Sequence, residues 1–180
     1  ELPIWDDPAL MDDYRCCEVM LGNGGYIFWK SPWVWTLTES ILIGRLQRYY
    51  ALEPVKLIEY LVNDNWSSLE ELVRGGFAPQ GRPWLQKQKK LGRVRIIYRN
   101  GLVVYVNRLP EDLVVAMPNG SLTLPQYGWV AYMPDRSLVA YSAYKPGTRQ
   151  RVDYLEEKSS GLRCLNPRGA EIEGSQAVRL

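Results

Sequence analysis

The second half of the chain alternates apolar and polar residues over short segments that are separated by turn residues. The dipeptide Asn100-Gly101 lies between two β-branched runs, which is the strongest short sequence signal for a β-hairpin. Short strands at this spacing are typical of an antiparallel β-sandwich or a small barrel. Seven strands are predicted, at 93–99, 102–108, 112–117, 121–125, 127–133, 137–144 and 149–155.

In the first half, the apolar residues recur mainly at the spacing that is typical of α-helices. An acidic residue before Pro8 predicts a helix start, and the glycines of 22–25 predict its end. The aromatic run 26–29 that follows is short and apolar, so it predicts one buried strand. From Ser31-Pro32 a long helix is predicted to run to Leu52.

Two shorter helices are predicted after the long one. Pro54 can begin a helix, and the apolar residues of 55–62 are assigned to it. Ser67-Ser68 is a capping signal for a second helix over 67–74, which Gly75-Gly76 would end. The segment 77–90 is rich in Pro, Gly and Lys and is interpreted as a linker.

The charge balance changes where the period changes. Residues 1–87 contain eight Lys and Arg against twelve Asp and Glu, whereas residues 88–180 contain fourteen against eight. We therefore predict an α+β chain in two domains. Residues 1–87 form a helical segment with one strand and a linker, and residues 88–180 form an antiparallel β-sandwich.

The amino-acid composition argues against several kinds of chemistry. The chain has no histidine, the commonest general base and metal ligand, and its formal net charge is only +2. Cys16, Cys17 and Cys164 are interpreted as reduced structural thiols, because adjacent cysteines rarely bond each other. Motifs for phosphate loops, dinucleotides or paired-cysteine metal sites are not found. We expect no metal, no cofactor and no dedicated nucleic-acid binding.

The sequence does not assign a compartment. No apolar run approaches the length of a membrane span, and no membrane partner is expected. The first residue is Glu1, which suggests a processed or partial chain. The localisation therefore stays unknown.

Three segments of the sequence resemble the C-terminal end of large glycoside hydrolases. Leu21-Gly22-Asn23-Gly24-Gly25-Tyr26-Ile27-Phe28 looks like the last helix of a (β/α)8 barrel running into its last strand. Residues 103–108 and 124–132, the second with Pro125, Tyr127, Gly128 and Trp129, look like the β-sandwich appended to such a barrel. The resemblance covers about residues 10–165. It implies a carbohydrate substrate and an upstream barrel polypeptide or another subunit, because one strand cannot close a barrel.

Glycoside hydrolysis uses two carboxylates, and the candidates in the first half are Asp12, Asp13, Glu18 and Glu39. Asp12 and Asp13 are neighbours on a helix and are interpreted as a solvated face. Glu39 lies among apolar residues, and a buried or interfacial carboxylate that pairs with Arg45 or Arg48 is the favoured explanation. No pair stands out as acid and base, so the catalytic residues stay unknown.

The aromatic cluster after the predicted strand is a more specific candidate for a functional site than the carboxylates are. In a barrel, the loop after a strand opens onto the active-site face. Trp29, Trp33 and Trp35 would then offer stacking surfaces for sugar rings, and Lys30 would donate hydrogen bonds. Packing of these tryptophans in the seam between the two parts of the chain is the alternative.

The β-domain offers two further surfaces. Tyr127, Trp129, Tyr132, Tyr141 and Tyr144 would form a carbohydrate-binding face if they shared one side of a sheet, although alternation is also what a half-buried strand shows. A nucleic-acid-binding barrel is a third interpretation. It would use Arg93, Arg95, Arg99 and Arg108.

The sequence thus favours the C-terminal portion of a carbohydrate-active enzyme. Its role would be substrate contact and structural support, without catalysis by the isolated chain. A self-contained protein-interaction or carbohydrate-binding module is the alternative.

Overall fold

The structure, a computed structural model, describes residues 8–23, 39–77 and 91–167. In these ranges, helix α1 spans Pro8–Leu21, a π-helical turn at Glu39–Ile43 continues into α2 (Gly44–Tyr50), and α3 spans Leu69–Arg74. The strands are β1 (Val55–Val62), β2 (Asn65–Ser68), β3 (Arg93–Tyr98), β4 (Val103–Asn107), β5 (Leu113–Met117), β6 (Gly120–Leu124), β7 (Gly128–Tyr132), β8 (Leu138–Tyr144), β9 (Arg151–Glu157) and β10 (Leu162–Pro167). The fold is α+β with antiparallel strand pairing, as predicted.

Eight strands form one sheet, in the order β10-β9-β8-β7-β4-β3-β1-β2. The hairpin β5–β6 is a separate two-stranded sheet, which lets β4 pair directly with β7. Strand β1 pairs with β3, so the large sheet contains strands from both sides of residue 88. The division of the chain into two domains at that residue stays a prediction.

The helices and the hairpin pack on opposite faces of the large sheet. On the helix face, Val19 of α1 and Leu46 of α2 pack with Val104, Trp129 and other buried residues of the central strands. On the opposite face, hereafter the hairpin face, Leu122 and Leu124 of β6 pack with Val130 and Ala143. Strand β7 is therefore buried on both sides, which accounts for its nearly continuous apolar sequence.

A buried asparagine fixes the point where the chain leaves β4 for the hairpin. The Nδ2 atom of Asn107 donates to the carbonyl oxygens of Glu111, Leu124 and Pro125 at 2.8, 3.0 and 3.1 Å. Its Oδ1 atom accepts from the Leu109 amide at 3.2 Å. A single side chain thus satisfies backbone groups at both ends of the hairpin excursion.

Several predicted elements are confirmed. Helix α1 ends at Leu21, and Gly22 has the positive φ of +66° that a residue with a Cβ rarely adopts. The capping box of α3 is present, because Ser68 and Glu71 bond each other's backbone amides. Asn100-Gly101 does connect β3 to β4. The five later strands of the prediction correspond to β5–β9 with shifts of one or two residues.

The predicted helix at 55–62 is wrong, because this segment is strand β1. Asn63 and Asp64 both have positive φ, at 51° and 61°, and form a two-residue turn that pairs Val62 with Asn65. Pairing with β2 and β3 therefore outweighs the helix-start signal of Pro54. Strand β10 was also missed by the prediction, although it pairs with β9 along its full length.

Other predictions lie outside the described residues. These are the buried strand at 26–29, the first part of the long helix and most of the linker 77–90. Residues 39–50 of the predicted long helix are helical. Across the described ranges, none of the helices has both the length and the apolar character needed to span a bilayer.

Candidate functional site

One strand of the sheet presents alternating charges to the helices. Arg151, Asp153 and Glu157 of β9 lie on its helix side, at positions two or four residues apart. Leu155, which shares this side, belongs to the apolar core. We call Arg151, Asp153 and Glu157 the charged column.

Each member of the charged column pairs with a residue of opposite charge on a helix. Arg151 Nη1 lies 2.7 Å from Asp12 Oδ2 of α1, and Asp153 Oδ2 lies 4.0 Å from Arg15 Nη1 of the same helix. Glu157 Oε2 lies 3.3 Å from Arg45 Nη1 of α2. The order of charges along the strand therefore matches the order of charges on the two helices.

Arg15 is the centre of the pairing between α1 and the π-helical turn. Its Nε donates to Glu39 Oε1, and the side chains of Arg15 and Glu39 are 1% and 4% exposed. Burial raises the pKa of Glu39, and the Arg15 guanidinium opposes that rise. Loss of either side chain would leave the other buried without this bond, so the two residues depend on each other.

Hydrogen bonds hold the column residues in place as well. Arg151 donates through Nη2 and Nη1 to the carbonyl oxygens of Tyr127 and Gln126, at 2.8 and 3.2 Å. Glu157 accepts from Ser160 Oγ at 2.5 Å and from Tyr49 OH at 3.0 Å. The bond from Ser160, with those from Tyr49 and Arg45, lowers the pKa of Glu157. Arg151 and Glu157 thus have uncharged hydrogen-bond partners in addition to the opposite charges on the helices.

The structure changes the interpretation of the predicted carboxylate candidates. Asp12 is buried and pairs with Arg151, and Asp13 accepts from Arg108 of the chain after β4 at 3.0 Å, so the prediction of a solvated face is wrong. Glu39 is buried as predicted, but Arg15 is its partner where Arg45 or Arg48 was expected. Glu18 is buried on the same side of α1.

The predicted substrate contacts Trp29, Lys30, Trp33 and Trp35 lie outside the described residues. The residues on either side of 24–38, which are Asn23 and Glu39, are described. Tyr50 OH donates to the carbonyl oxygen of Asn23 at 2.8 Å, and Glu39 is bonded to Arg15. Asn23 and Glu39, which flank residues 24–38, are therefore each bonded to a helix that packs on the sheet.

The hairpin face carries a second group of side chains, which we call the aromatic face: Trp66, Tyr105, Tyr141, Tyr154, Arg95 and Arg163. Arg95 lies over the Trp66 ring at 5.2 Å and pairs with Glu59 at 2.5 Å. Trp66 and Tyr105 meet edge to face at 5.4 Å. Tyr141 and Tyr154 stack at 4.9 Å, and Arg163 lies 5.7 Å from the Tyr154 ring. Burial, with the bond to Glu156, raises the pKa of Tyr154 to about 12.

The predicted aromatic surface of the β-domain is not one surface. Trp129 is buried on the helix face, whereas Tyr132 and Tyr141 pack on the hairpin face. The predicted arginine patch is also divided. Arg95 pairs with Glu59, Arg93 lies 3.9 Å from Glu111, and Arg108 bonds Asp13.

The charged column itself was missed by the sequence prediction, although a signal for it exists. Residues 151 and 153 lie within a predicted strand and two apart, so they share one side of it. Asp12 and Arg15 are three apart on a predicted helix, so they also share a side. Two opposite charges on one side of each element indicate that the helix docks on the strand. The prediction did not use this signal.

The described residues contain no cluster of three or more histidine, cysteine or acidic side chains suited to holding a metal ion. Comparison with known proteins found no match to a protein family, to a curated protein or to a solved structure.

Proposed function

We propose that this chain is the C-terminal portion of a carbohydrate-active, glycoside hydrolase-like enzyme, in which a β domain of the sandwich type braces the last helices of a (β/α)8 barrel. The observation that carries the proposal is the charged column. Its matched charges fix the position of α1 and α2 on the sheet, and an apolar contact alone would not fix the register in the same way.

The use of the described carboxylates supports a role without catalysis for the isolated chain. Asp12, Asp13 and Glu39 each bond an arginine. A glycosidase needs one carboxylic acid and one carboxylate on either side of the bond that it cleaves. Side chains engaged in structural ion pairs do not offer that arrangement, so the catalytic pair of the proposed enzyme would come from its upstream part.

Substrate contact is assigned to Trp29, Lys30, Trp33 and Trp35. The support is that Asn23 and Glu39, the described residues on either side of 24–38, are bonded to Tyr50 and Arg15. A binding segment needs rigid support to hold its side chains in a productive position. In the proposed enzyme, the β domain would provide that support through the helices.

The experiment is a binding and turnover assay of the 180-residue chain with a panel of soluble oligosaccharides and chromogenic glycosides. We expect no hydrolysis, and a change of tryptophan fluorescence with at least one sugar class. The W33A/W35A variant should lose that change. Hydrolysis by the chain that disappears in E39Q would contradict the proposal, since it would make Glu39 a catalytic residue.

The aromatic face supports the alternative, a self-contained carbohydrate-binding or protein-interaction module. Half-buried tyrosines beside arginines have both an apolar body and a polar edge, which suits a sugar ring. The variant W66A separates the two proposals. If W66A loses sugar binding and W33A/W35A retains it, the module is favoured and the bracing role loses its support.

A further inference from the structure

Strand β10 forms one edge of the large sheet, and β2 forms the other. An edge strand carries backbone N–H and C=O groups that no neighbouring strand satisfies, so it is a template for another strand. The two edges differ. Strand β2 has four residues, α3 follows it at once, and the Ser68 amide donates to Glu71 at 2.7 Å. Strand β10 has six residues, and its outer edge pairs with no strand of the described ranges.

Two backbone bonds at the ends of β9 show which of its residues face β8. The amide of Lys158, directly after β9, donates to the carbonyl oxygen of Ser137 at 2.9 Å. At the other end, the amide of Lys145 donates to the carbonyl oxygen of Gln150, directly before β9, at 2.9 Å. Both bonds lie in the register of β8 with β9, and both use an even-numbered residue on the β9 side. Because the backbone groups of a strand alternate in direction, the odd-numbered residues of β9 bond β10.

The same alternation assigns the outer edge of β10. Leu155 of β9 is paired with Cys164, so the N–H and C=O groups of Cys164 point towards β9. Those of Arg163 and Leu165 therefore point away from the sheet. Pro167, the last residue of β10, has no N–H and limits the usable edge. Arg163 and Leu165 thus each offer one donor and one acceptor to a further strand.

We propose that β10 pairs antiparallel with β10 of a second copy of this chain, across a twofold axis that passes beside Cys164. In this register, Arg163 of each copy is opposite Leu165 of the other. Each such pair exchanges two bonds, so the interface gains about four backbone hydrogen bonds. The eight-stranded sheets of the two copies would become one continuous sheet. This pairing is independent of the carbohydrate role proposed above.

Two neighbouring registers fit less well. An axis beside Arg163 would place the Arg163 side chains of the two copies opposite each other, and like charges in that position are destabilising. An axis beside Leu165 would place Arg163 opposite Pro167, which leaves the Arg163 carbonyl oxygen without a donor. A shift by a single residue would bring outward groups against inward ones. The donors and the charges of the edge therefore favour the axis beside Cys164.

The side chains are compatible with this register on both faces of the sheet. On the helix face, the half-buried Cys164 packs against the core and would meet its own copy. On the hairpin face, Leu165 is 49% exposed and would lie beside the alkyl stem of Arg163 from the second copy. The Arg163 guanidinium lies 5.7 Å from the Tyr154 ring of its own copy. Its charge is also opposite Glu156 of β9, so no like charges meet at the interface.

The interface is small. Six residues of β10 from each copy do not supply the area of about 800 Å² per partner that is usual for a stable complex. We therefore expect a weak dimer, whose population rises with protein concentration.

Dimerisation would also extend the aromatic face. Tyr141, Tyr154 and Leu165 are paired in one row across β8, β9 and β10. In the proposed register, this row continues into Arg163 of the second copy. The aromatic faces of two copies would then lie on the same side of one sheet.

The first test is sedimentation equilibrium of the 180-residue chain between about 10 μM and 1 mM, a range that covers weak association. L165P removes an outward N–H and leaves the bonds to β9, since proline is tolerated on the outer edge of a sheet. It should weaken dimerisation by about tenfold or more, because two interface bonds are lost. The control L165A keeps the N–H and should weaken dimerisation much less. A chain that stays monomeric throughout would overturn the proposal, and so would a dimer that L165P leaves unchanged.

The second test reads the register through Cys164, a free cysteine. Opposite residues that exchange no hydrogen bonds have Cα atoms about 4.5 Å apart, which a disulfide can span. Diamide oxidises two thiols to one disulfide and takes up their two hydrogens, so it should join two wild-type chains. C164S should abolish this cross-link, C17S should retain it, and L165P should lower its yield by about tenfold. A dimer in which diamide forms no link through Cys164 would overturn the proposed register.

Discussion

Arg15 of helix α1 donates a hydrogen bond from Nε to Oε1 of Glu39, which lies 24 residues later in the chain. The pair connects the helix before residues 24–38 to the helical turn after them. Because Asp153 of β9 lies 4.0 Å from the same guanidinium, this connection also reaches the sheet. The helix before the segment with the proposed substrate contacts and the helical turn after it are therefore connected through one buried ionic group.

Replacement of Arg15 by methionine should destabilise the fold strongly. R15M leaves the carboxylates of Glu39 and Asp153 buried beside an apolar side chain, and removal of one partner of a buried ion pair costs about 3–5 kcal/mol. The free energy of unfolding, from urea titration followed by circular dichroism, measures the loss. The control is E70Q, which breaks an exposed pair with Arg74 and should cost about 0.5 kcal/mol or less. A loss for R15M as small as that of E70Q would contradict the assignment.

Stability should fall in acid partly because of Glu157. The folded structure lowers the pKa of this carboxyl below its ordinary value of 4.5, so the unfolded chain binds its proton more readily. The stabilisation is present above the unfolded pKa and is lost as the pH falls through the folded pKa. Urea unfolding of wild type and E157Q between pH 7 and pH 3 should show a weaker acid dependence in E157Q.

Glu39 should change the pH dependence of stability in the opposite direction from Glu157. Burial raises its folded pKa, so the folded protein binds the proton more readily than the unfolded chain does. Its contribution to stability therefore decreases as the pH rises from the unfolded to the folded pKa. E39Q should remove this decrease, and an acid dependence for E39Q equal to that of E157Q would show that the two groups are assigned wrongly.

Asn107 should tolerate no acidic substitute. N107D replaces a donor to three carbonyl oxygens with an acceptor, and a buried polar group that loses its bonds costs about 1–3 kcal/mol. Thermal unfolding measures this effect. N65D is the matched control, because Asn65 is exposed at the start of β2, and its melting temperature should stay close to that of wild type.

Gly128 should also be required, at the turn into β7. A Cβ at this position would lie 2.8 Å from both the Cδ and the carbonyl oxygen of Pro125, and the backbone oxygen cannot easily move. Forced contacts of this kind cost about 1–3 kcal/mol, which thermal unfolding of G128A would detect. G44A at the start of α2 is the control, because its Cβ would meet its nearest neighbour at an ordinary 3.6 Å. Equal stability of G128A and G44A would contradict the geometry of the turn.

Local signals predicted most of the elements that the structure describes. Gly22, the capping box at Ser68 and the Asn100-Gly101 turn act over a few residues, and each is found where the sequence placed it. Strand β1 was mistaken for a helix because its apolar residues fit both periods. Its pairing with β3, in which paired residues are 34 or more positions apart, decides the outcome.

The candidate site was less accessible to prediction than the fold. Arg15 and Asp153 are far apart in the chain, and Arg45 and Glu157 are separated by 112 residues. Which charge meets which depends on how α1 and α2 lie on the sheet, and no local pattern contains that information. The sequence therefore predicted that Glu39 needs a basic partner but not that Arg15 is this partner.

Native-state hydrogen exchange is the most direct test of the bracing role. It compares the opening free energies of backbone amides in α1 with those in β9. The charged column predicts that amides near Arg15 and near Leu155 exchange with the same free energy, and that the double variant D12N/R151Q lowers the value for α1 first. If α1 of the wild-type chain opens at a much lower free energy than β9, the helices are not braced by the sheet and the account is contradicted.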